Sequence, residues 1–284
     1  MVERLFAPVL VRYPALMARL LGEWPLVSVA DCYQRPAEGG QEPLSELSQA
    51  IPANVYQTWI HPRLGPTHAS AIAKFKHINS SYTFWFYNSK EMDEYMRFFY
   101  GHHPIFEIYQ KALFGPVKTD IWRYCILCER GGFYFDINKM VDVPLSNIVR
   151  STDQALISYE KNLLPDCIPK GPDGLLHPDR LVLNWGLAFV KNHPILQKVL
   201  QNIVKDYPLF KRVNFAHVKS AVLDFTGPHQ LTKTIHQLVR EGEVSMHEVG
   251  VDFEGHGNPN IKGSWVRYAC LPSYSRHQVG MIVQ

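Results

Sequence analysis

The chain has 284 residues, long enough for one large domain or two modest ones around a sizeable core. Hydrophobic residues at 46% and charged residues at 19% are ordinary for a folded soluble protein. A formal charge of +3, from 29 basic and 26 acidic side chains, is too weak for the concentrated basic footprint of a nucleic-acid binder, so no nucleic acid is expected as a partner.

Residues 1–30 are apolar but interrupted by Arg4, Arg12 and Arg19 and by Pro8 and Pro14. No run there approaches the ~20 residues of a membrane span, and no cleavable leader is expected. These residues read as helices packed on the main domain, with a peripheral membrane contact as the alternative. Residues 31–50 carry Pro36, Gly39, Gly40 and Pro43 and read as a linker. The expected division is a helical extension with linker over residues 1–50 and one α/β domain over residues 51–284.

From Ile51 the texture changes. Asn54–Ile60 is β-rich and runs into His61-Pro62, and Tyr82–Tyr87 is a second strand closed by Asn88-Ser89. Helical composition covers Thr67–Asn79, Lys90–Tyr100 and Val117–Arg130, the last ended by Gly131-Gly132. Phe133–Asp136, Gln154–Tyr159 and Leu181–Val190 read as strands. Helices follow His193-Pro194 and, over Gln230–Arg240, the Thr226-Gly-Pro228 turn. Strands alternating with helices predict an open, mostly parallel α/β sheet. The tail from Val249 to Gln284 reads as loop-rich.

Five scattered cysteines, an odd number, predict reduced thiols and a cytoplasmic setting rather than a disulfide framework. Cys125 and Cys128 lie in one predicted helix with no second Cys/His pair at zinc spacing, and read as core residues.

Chemistry concentrates between Asp120 and Asn138. Asp120 and Arg123 are three apart on a helix and share a face. Asp136 and Asn138 stand at period two at a strand end, so their side chains point the same way. Ligands of open α/β sheets bind beyond the carboxyl ends of strands. Oxygen ligands there suit a hard divalent cation, which would grip a diphosphate. As a sugar bond to that diphosphate breaks, the leaving group gains negative charge that such a site stabilises.

The ordered set Asp120, Arg123, Tyr124, Gly131, Gly132, Tyr134, Asp136 and Asn138 resembles the sugar-binding region with a DxD motif of the family 32 glycosyltransferases. Ile51-Pro with Gln57-Thr-Trp59 upstream is similar to that family's first strand. Asn184 with His193-Pro194, Thr226-Gly-Pro228 and Ser264-Trp265 are similar to its later landmarks. The resemblance covers about residues 51–265. It implies a nucleotide-diphospho-sugar (GT-A-type) fold, and transfer of a hexose with retention from a nucleotide sugar, a UDP-sugar being favoured. The acceptor would be a glycan, a lipid-linked saccharide or a protein.

By the same resemblance, Gln57 and Trp59 line the base and ribose pocket, with Tyr134, Ser264 and Trp265 also on the donor. Asp120 and Arg123 hold the donor sugar and phosphates, while Asn184 and the Thr226-Gly-Pro228 turn face the acceptor. Asp136 and Asn138, with His256 as a late ligand, orient a Mn2+ or Mg2+ ion. The chain departs from the pattern at Asn138, where the family carries a second carboxylate. An amide carbonyl can ligate a cation but brings no charge. That leaves three readings: a tolerated variant, a weakened or metal-independent transferase, or an inactivating change. A catalytically silent carbohydrate- or nucleotide-binding protein of the same fold is the rival function.

Overall fold

The computed structural model describes residues 14–20, 22–34, 49–60, 62–242, 244–258 and 279–284. In chain order these form α1 (Pro14–Leu20), β1 (Val27–Ser28), β2 (Asn54–Thr58), β3 (Arg63–Leu64), α2 (Pro66–Ile78), β4 (Thr83–Tyr87), α3 (Ser89–Tyr100), α4 (Pro104–Lys111) and α5 (Gly115–Arg130). There follow β5 (Gly132–Phe135), β6 (Met140–Val141), β7 (Ala155–Leu163), β8 (Arg180–Val182), β9 (Gly186–Phe189) and α6 (Pro194–Phe210). The remainder comprises α7 (Val218–Phe225), α8 (Pro228–Glu241), β10 (His247–Val251) and β11 (Gly257–Asn258).

A seven-stranded sheet runs in the order β10-β7-β9-β5-β2-β4, with β8 on β7. β2 is parallel to β4 and β5, and β10 is parallel to β7, whereas β9 is antiparallel to both β5 and β7. Thus β4, β2, β5, β7 and β10 share one direction, opposed only by β9 and β8. This is the expected mostly parallel α/β sheet. Every residue of β2, β5 and β9 is buried, as befits central strands covered on both faces. One face packs on α5, α6 and α8 through Trp122, Ile203 and Ile235, and the other on α2 through Ile72 and Phe75.

Local sequence explains where elements start and stop. Asn88 and Glu91 form a capping box at the start of α3, and Pro104, Pro116, Pro194 and Pro228 sit in first turns. From Asp120 to Cys128 α5 is buried on every face, and the Gly131 N–H caps the helix onto the Leu127 carbonyl at 2.8 Å. Gly131 and Gly132 have φ of +67° and +106°. A Cβ on Gly132 would lie 2.7 Å from the Asn54 carbonyl oxygen, so only glycine turns the chain this tightly from α5 into β5.

One expectation needs correction. Leu181–Val190 is not one strand but β8 and β9, interrupted at Leu183–Trp185. The break is stabilised from both sides: the Leu183 N–H reaches the Ser158 carbonyl at 2.9 Å, and the Trp185 carbonyl accepts from the Asp136 N–H at 2.8 Å. Residues on the N-terminal side of the boundary drawn at residue 50 contact the α/β sheet. The Gln34 backbone bonds Phe84 and Phe86 at the β4 edge, β1 pairs with β3, and Tyr33 is buried in the second core. Helices α4 and α7 and strand β10 were not expected from the sequence. Each is short, and β10 owes its existence to parallel pairing with β7. Cys125 and Cys128 are core residues, as expected.

Candidate active site

The carboxyl ends of β2 and β5, the middle of β7 and the break before β9 meet at one edge of the sheet. They bring Trp59, Asp136, Glu160 and Asn184 to a cleft of about 620 Å³. α5 supplies Asp120 and Arg123 from the side. The Arg123 guanidinium is the hub: its Nη2 stands 3.2 Å from Asp120 Oδ1 and 3.2 Å from Asp136 Oδ1. Its Nη1 donates to the Asn184 carbonyl, and the guanidinium stacks 4.4 Å from the Tyr134 ring centroid. Tyr134 in turn donates its hydroxyl proton to Asp136 Oδ1 at 2.7 Å.

Asp120 is held from three directions. Besides Arg123, the Asn184 amide donates to Oδ1 at 3.1 Å and the Thr226 hydroxyl to Oδ2 at 3.0 Å. The Tyr124 hydroxyl stands 2.9 Å from both Asn184 Oδ1 and the Thr226 carbonyl, locking that turn to α5. Burial raises the Asp120 pKa to about 6 against the opposing pull of Arg123 and Thr226, with Asp136 adding to the rise. Burial works against the Arg123 charge, yet Tyr134, Asp136 and Asp120 more than offset it and leave its pKa raised.

The other expected residues divide. Trp59, Tyr134 and Asn138 line the cleft with Asp120, Arg123, Asp136 and Asn184. Gln57 does not line it: its amide is buried, donating to the Asp136 carbonyl at 3.1 Å and accepting from the Tyr33 hydroxyl at 2.9 Å. Its place is therefore to hold the Asp136 loop. His256 is exposed on the turn before β11, 3.0 Å from Asp142, and does not line the cleft. β11 pairs with β6, which sets it beside Asp142. Ser264 and Trp265 lie outside the described residues.

Glu160 was not expected. It follows the buried run Ala155–Tyr159 much as Asp136 follows Phe133–Phe135. An acid after a buried strand run is the signal that would have found it. Its pKa is raised by burial and by Asp252 and Asp136, against the pull of Lys139. The donor set suits a hard cation. Asp136 Oδ1 is engaged by Tyr134 and Arg123, its second oxygen carries neither bond, and Asn138 and Glu160 add oxygens at the same cleft.

Residues 66–155 match the family model described as "Glycosyltransferase sugar-binding region containing DXD motif". The span holds the Asp120–Asn138 run, and the match bears out the resemblance read from it. Among curated proteins the chain is similar to the "Initiation-specific alpha-1,6-mannosyltransferase" of Candida albicans (strain SC5314 / ATCC MYA-2876). Identity is 24% over 211 residues, 66% of this chain and 53% of that protein, so the chain spans about half the length of that relative. Among solved structures it is similar to the "PaToxG Glycosyltransferase", with a TM-score of 0.49 and 18% identity over 68% of this chain and 71% of that one.

Proposed function

We propose that the protein is a retaining glycosyltransferase of GT-A type, moving a hexose from a nucleotide-diphosphate sugar to a hydroxyl acceptor on a glycan, lipid-linked saccharide or protein. The observation that carries this reading is Arg123, a buried cation bridging Asp120 and Asp136 at the strand ends that line the cleft. A buried ion-pair network is a weak source of stability, and one that lines a cleft marks a candidate functional site. Supporting it are the family-model match over this segment and the mannosyltransferase relative, which makes mannose the first hexose to test.

In this reading Trp59 stacks against the base, and Asp120 accepts hydrogen bonds from donor sugar hydroxyls. Arg123 faces the phosphates, where it stabilises charge developing on the leaving nucleoside diphosphate. Asp136 and Asn138, with Glu160 beside them, would hold a Mn2+ or Mg2+ ion, which supplies further positive charge to the diphosphate. Attack on the same face as departure needs no enzymatic nucleophile. The setting is cytoplasmic, and a UDP-sugar is the favoured donor.

The test is a panel of nucleotide sugars with manganese, scoring release of nucleoside diphosphate. Turnover of one donor names the sugar. Asn138 favours a second reading, a silent binding protein: saturable nucleotide-sugar binding with no turnover of any donor, in the presence of acceptors, would establish it instead.

A further inference from the structure

We propose that Cys167, Asp224 and His229 form a second metal site, distinct in chemistry from the oxygen-lined cleft and suited to a borderline-soft divalent cation such as Zn2+. Their ligand atoms all lie within 4.8 Å of one another. They come from three places in the fold: the crossover between β7 and β8, the last turn of α7 and the first turn of α8. His229 Nδ1 is 2.8 Å from Asp224 Oδ1, so these two are already paired across the Thr226-Gly-Pro228 turn. One sulfur, one imidazole nitrogen and one carboxylate oxygen make a set that favours zinc over magnesium or calcium.

The arrangement is prepared rather than accidental, because the crossover is laid along α8 and tied to it. Gly171 approaches so closely that a Cβ there would lie 2.7 Å from His236 Nε2, and Arg240 donates to the Lys170 carbonyl at 3.1 Å. Ile168 is buried beside Cys167, with its N–H on the Pro165 carbonyl at 2.9 Å. With positions 168, 170 and 171 tied down, the Cys167 backbone is held beside the first turn of α8.

Metal bonds of ~2.0–2.3 Å place ligands about 3.5 Å apart. Binding would therefore open the His229–Asp224 contact slightly and draw the sulfur in. The Cys167 thiol loses its proton to solvent as the metal–sulfur bond forms. His229 binds as the neutral imidazole, and water completes the shell on the exposed side.

The site would clamp the crossover onto the turn whose Thr226 holds Asp120, coupling metal supply to the order of the cleft. The test is a Co2+ titration of the whole chain, read by the near-ultraviolet thiolate-to-cobalt charge-transfer band. A single saturable band is expected, displaced by Zn2+ but not by Mg2+. Cys167→Ser, at an exposed position that leaves the fold intact, should abolish it, as should His229→Ala. Asp224→Ala should weaken binding at least tenfold. Cys32→Ser, Cys270→Ser and Asp136→Ala should keep the band, which separates this site from the proposed donor site. Absence of a band, or a band that survives Cys167→Ser, overturns the proposal. An unchanged affinity in Asp224→Ala overturns the ligand set.

Discussion

The two walls of the cleft are built by different means. On one side Asp120, Arg123, Asp136 and Asn184 are locked to one another, and Arg123 and Asp120 expose only 7% and 8% of their side chains. On the other, Leu113, Phe114, Pro116, Leu223 and Pro228 come from loops and helix ends, and Leu113 is 44% exposed. The polar wall fixes positions to hydrogen-bond precision, as an electrostatically preorganised site must. The apolar wall offers mainly hydrophobic area. Donor chemistry is therefore expected to be rigid and intolerant of change, and acceptor contact adaptable.

The sharpest way to break this comparison is Arg123→Met, which leaves the buried Asp120 and the part-exposed Asp136 without their shared cation. Removing one partner of a buried pair costs about 3–5 kcal/mol, so the denaturation midpoint should fall steeply and nucleotide binding should be lost. Unchanged stability would mean that Arg123 does not hold the polar wall together. Asp120→Asn comes next. Its turnover at neutral pH should drop at least tenfold, since charge-assisted bonds of this kind contribute ~1.5–3 kcal/mol.

The sign of its pH effect follows from burial. The Asp120 pKa is raised to about 6 in the folded chain, so its stabilising contribution is complete below the unfolded value near 4 and is lost as pH rises through 6. Wild type should lose on the order of 2–3 kcal/mol relative to Asp120→Asn between these limits. Parallel stability curves across that window would show that Asp120 does not titrate there.

A smaller effect should come from Asn138→Asp. If Asn138 shares a cation with Asp136, the added charge tightens it, and a surviving ~1.4 kcal/mol is tenfold in affinity. Manganese should then saturate donor hydrolysis at lower concentration, and Asp136→Ala should remove the response. An unchanged curve would take position 138 out of the cation site.

How much of this was legible in the sequence depended on whether a residue's role is local. The Asp120/Arg123 face, the Gly131-Gly132 turn and the Asp136 strand end are set by helix and strand periods, and they were readable. Asn184 was recognisable by resemblance, but not the break in Leu181–Val190 that presents it, because that break is held by Ser158 and Asp136 from distant segments. Gln57 was read as pocket lining. Its burial on the Asp136 carbonyl depends on Tyr33, which lies beyond the boundary drawn at residue 50. His256 has a metal-ligand side chain, yet β6–β11 pairing, invisible at two residues per strand, sets it on Asp142. Glu160 directly follows the run read as a strand ending at Tyr159, and an acid at that position was a local signal that went unused.

The smallest effect tests the adaptable wall. Leu113 lines the cleft from the loop after α4, with its backbone N–H on the Ile282 carbonyl at 3.0 Å. Because that anchor is backbone, Leu113→Ala keeps the loop in place and removes only part-exposed apolar surface. Surface changes of this kind stay within about 0.5 kcal/mol of wild-type stability. Should an acceptor cover the side chain, the lost burial is on the order of 1 kcal/mol, which is about fivefold in acceptor KM. Nucleotide affinity should not move, since Leu113 makes none of the contacts that order Asp120, Arg123 or Asp136. A shift in nucleotide affinity equal to the shift in acceptor KM would show that the two walls act as one, and that the division between rigid donor side and adaptable acceptor side is wrong.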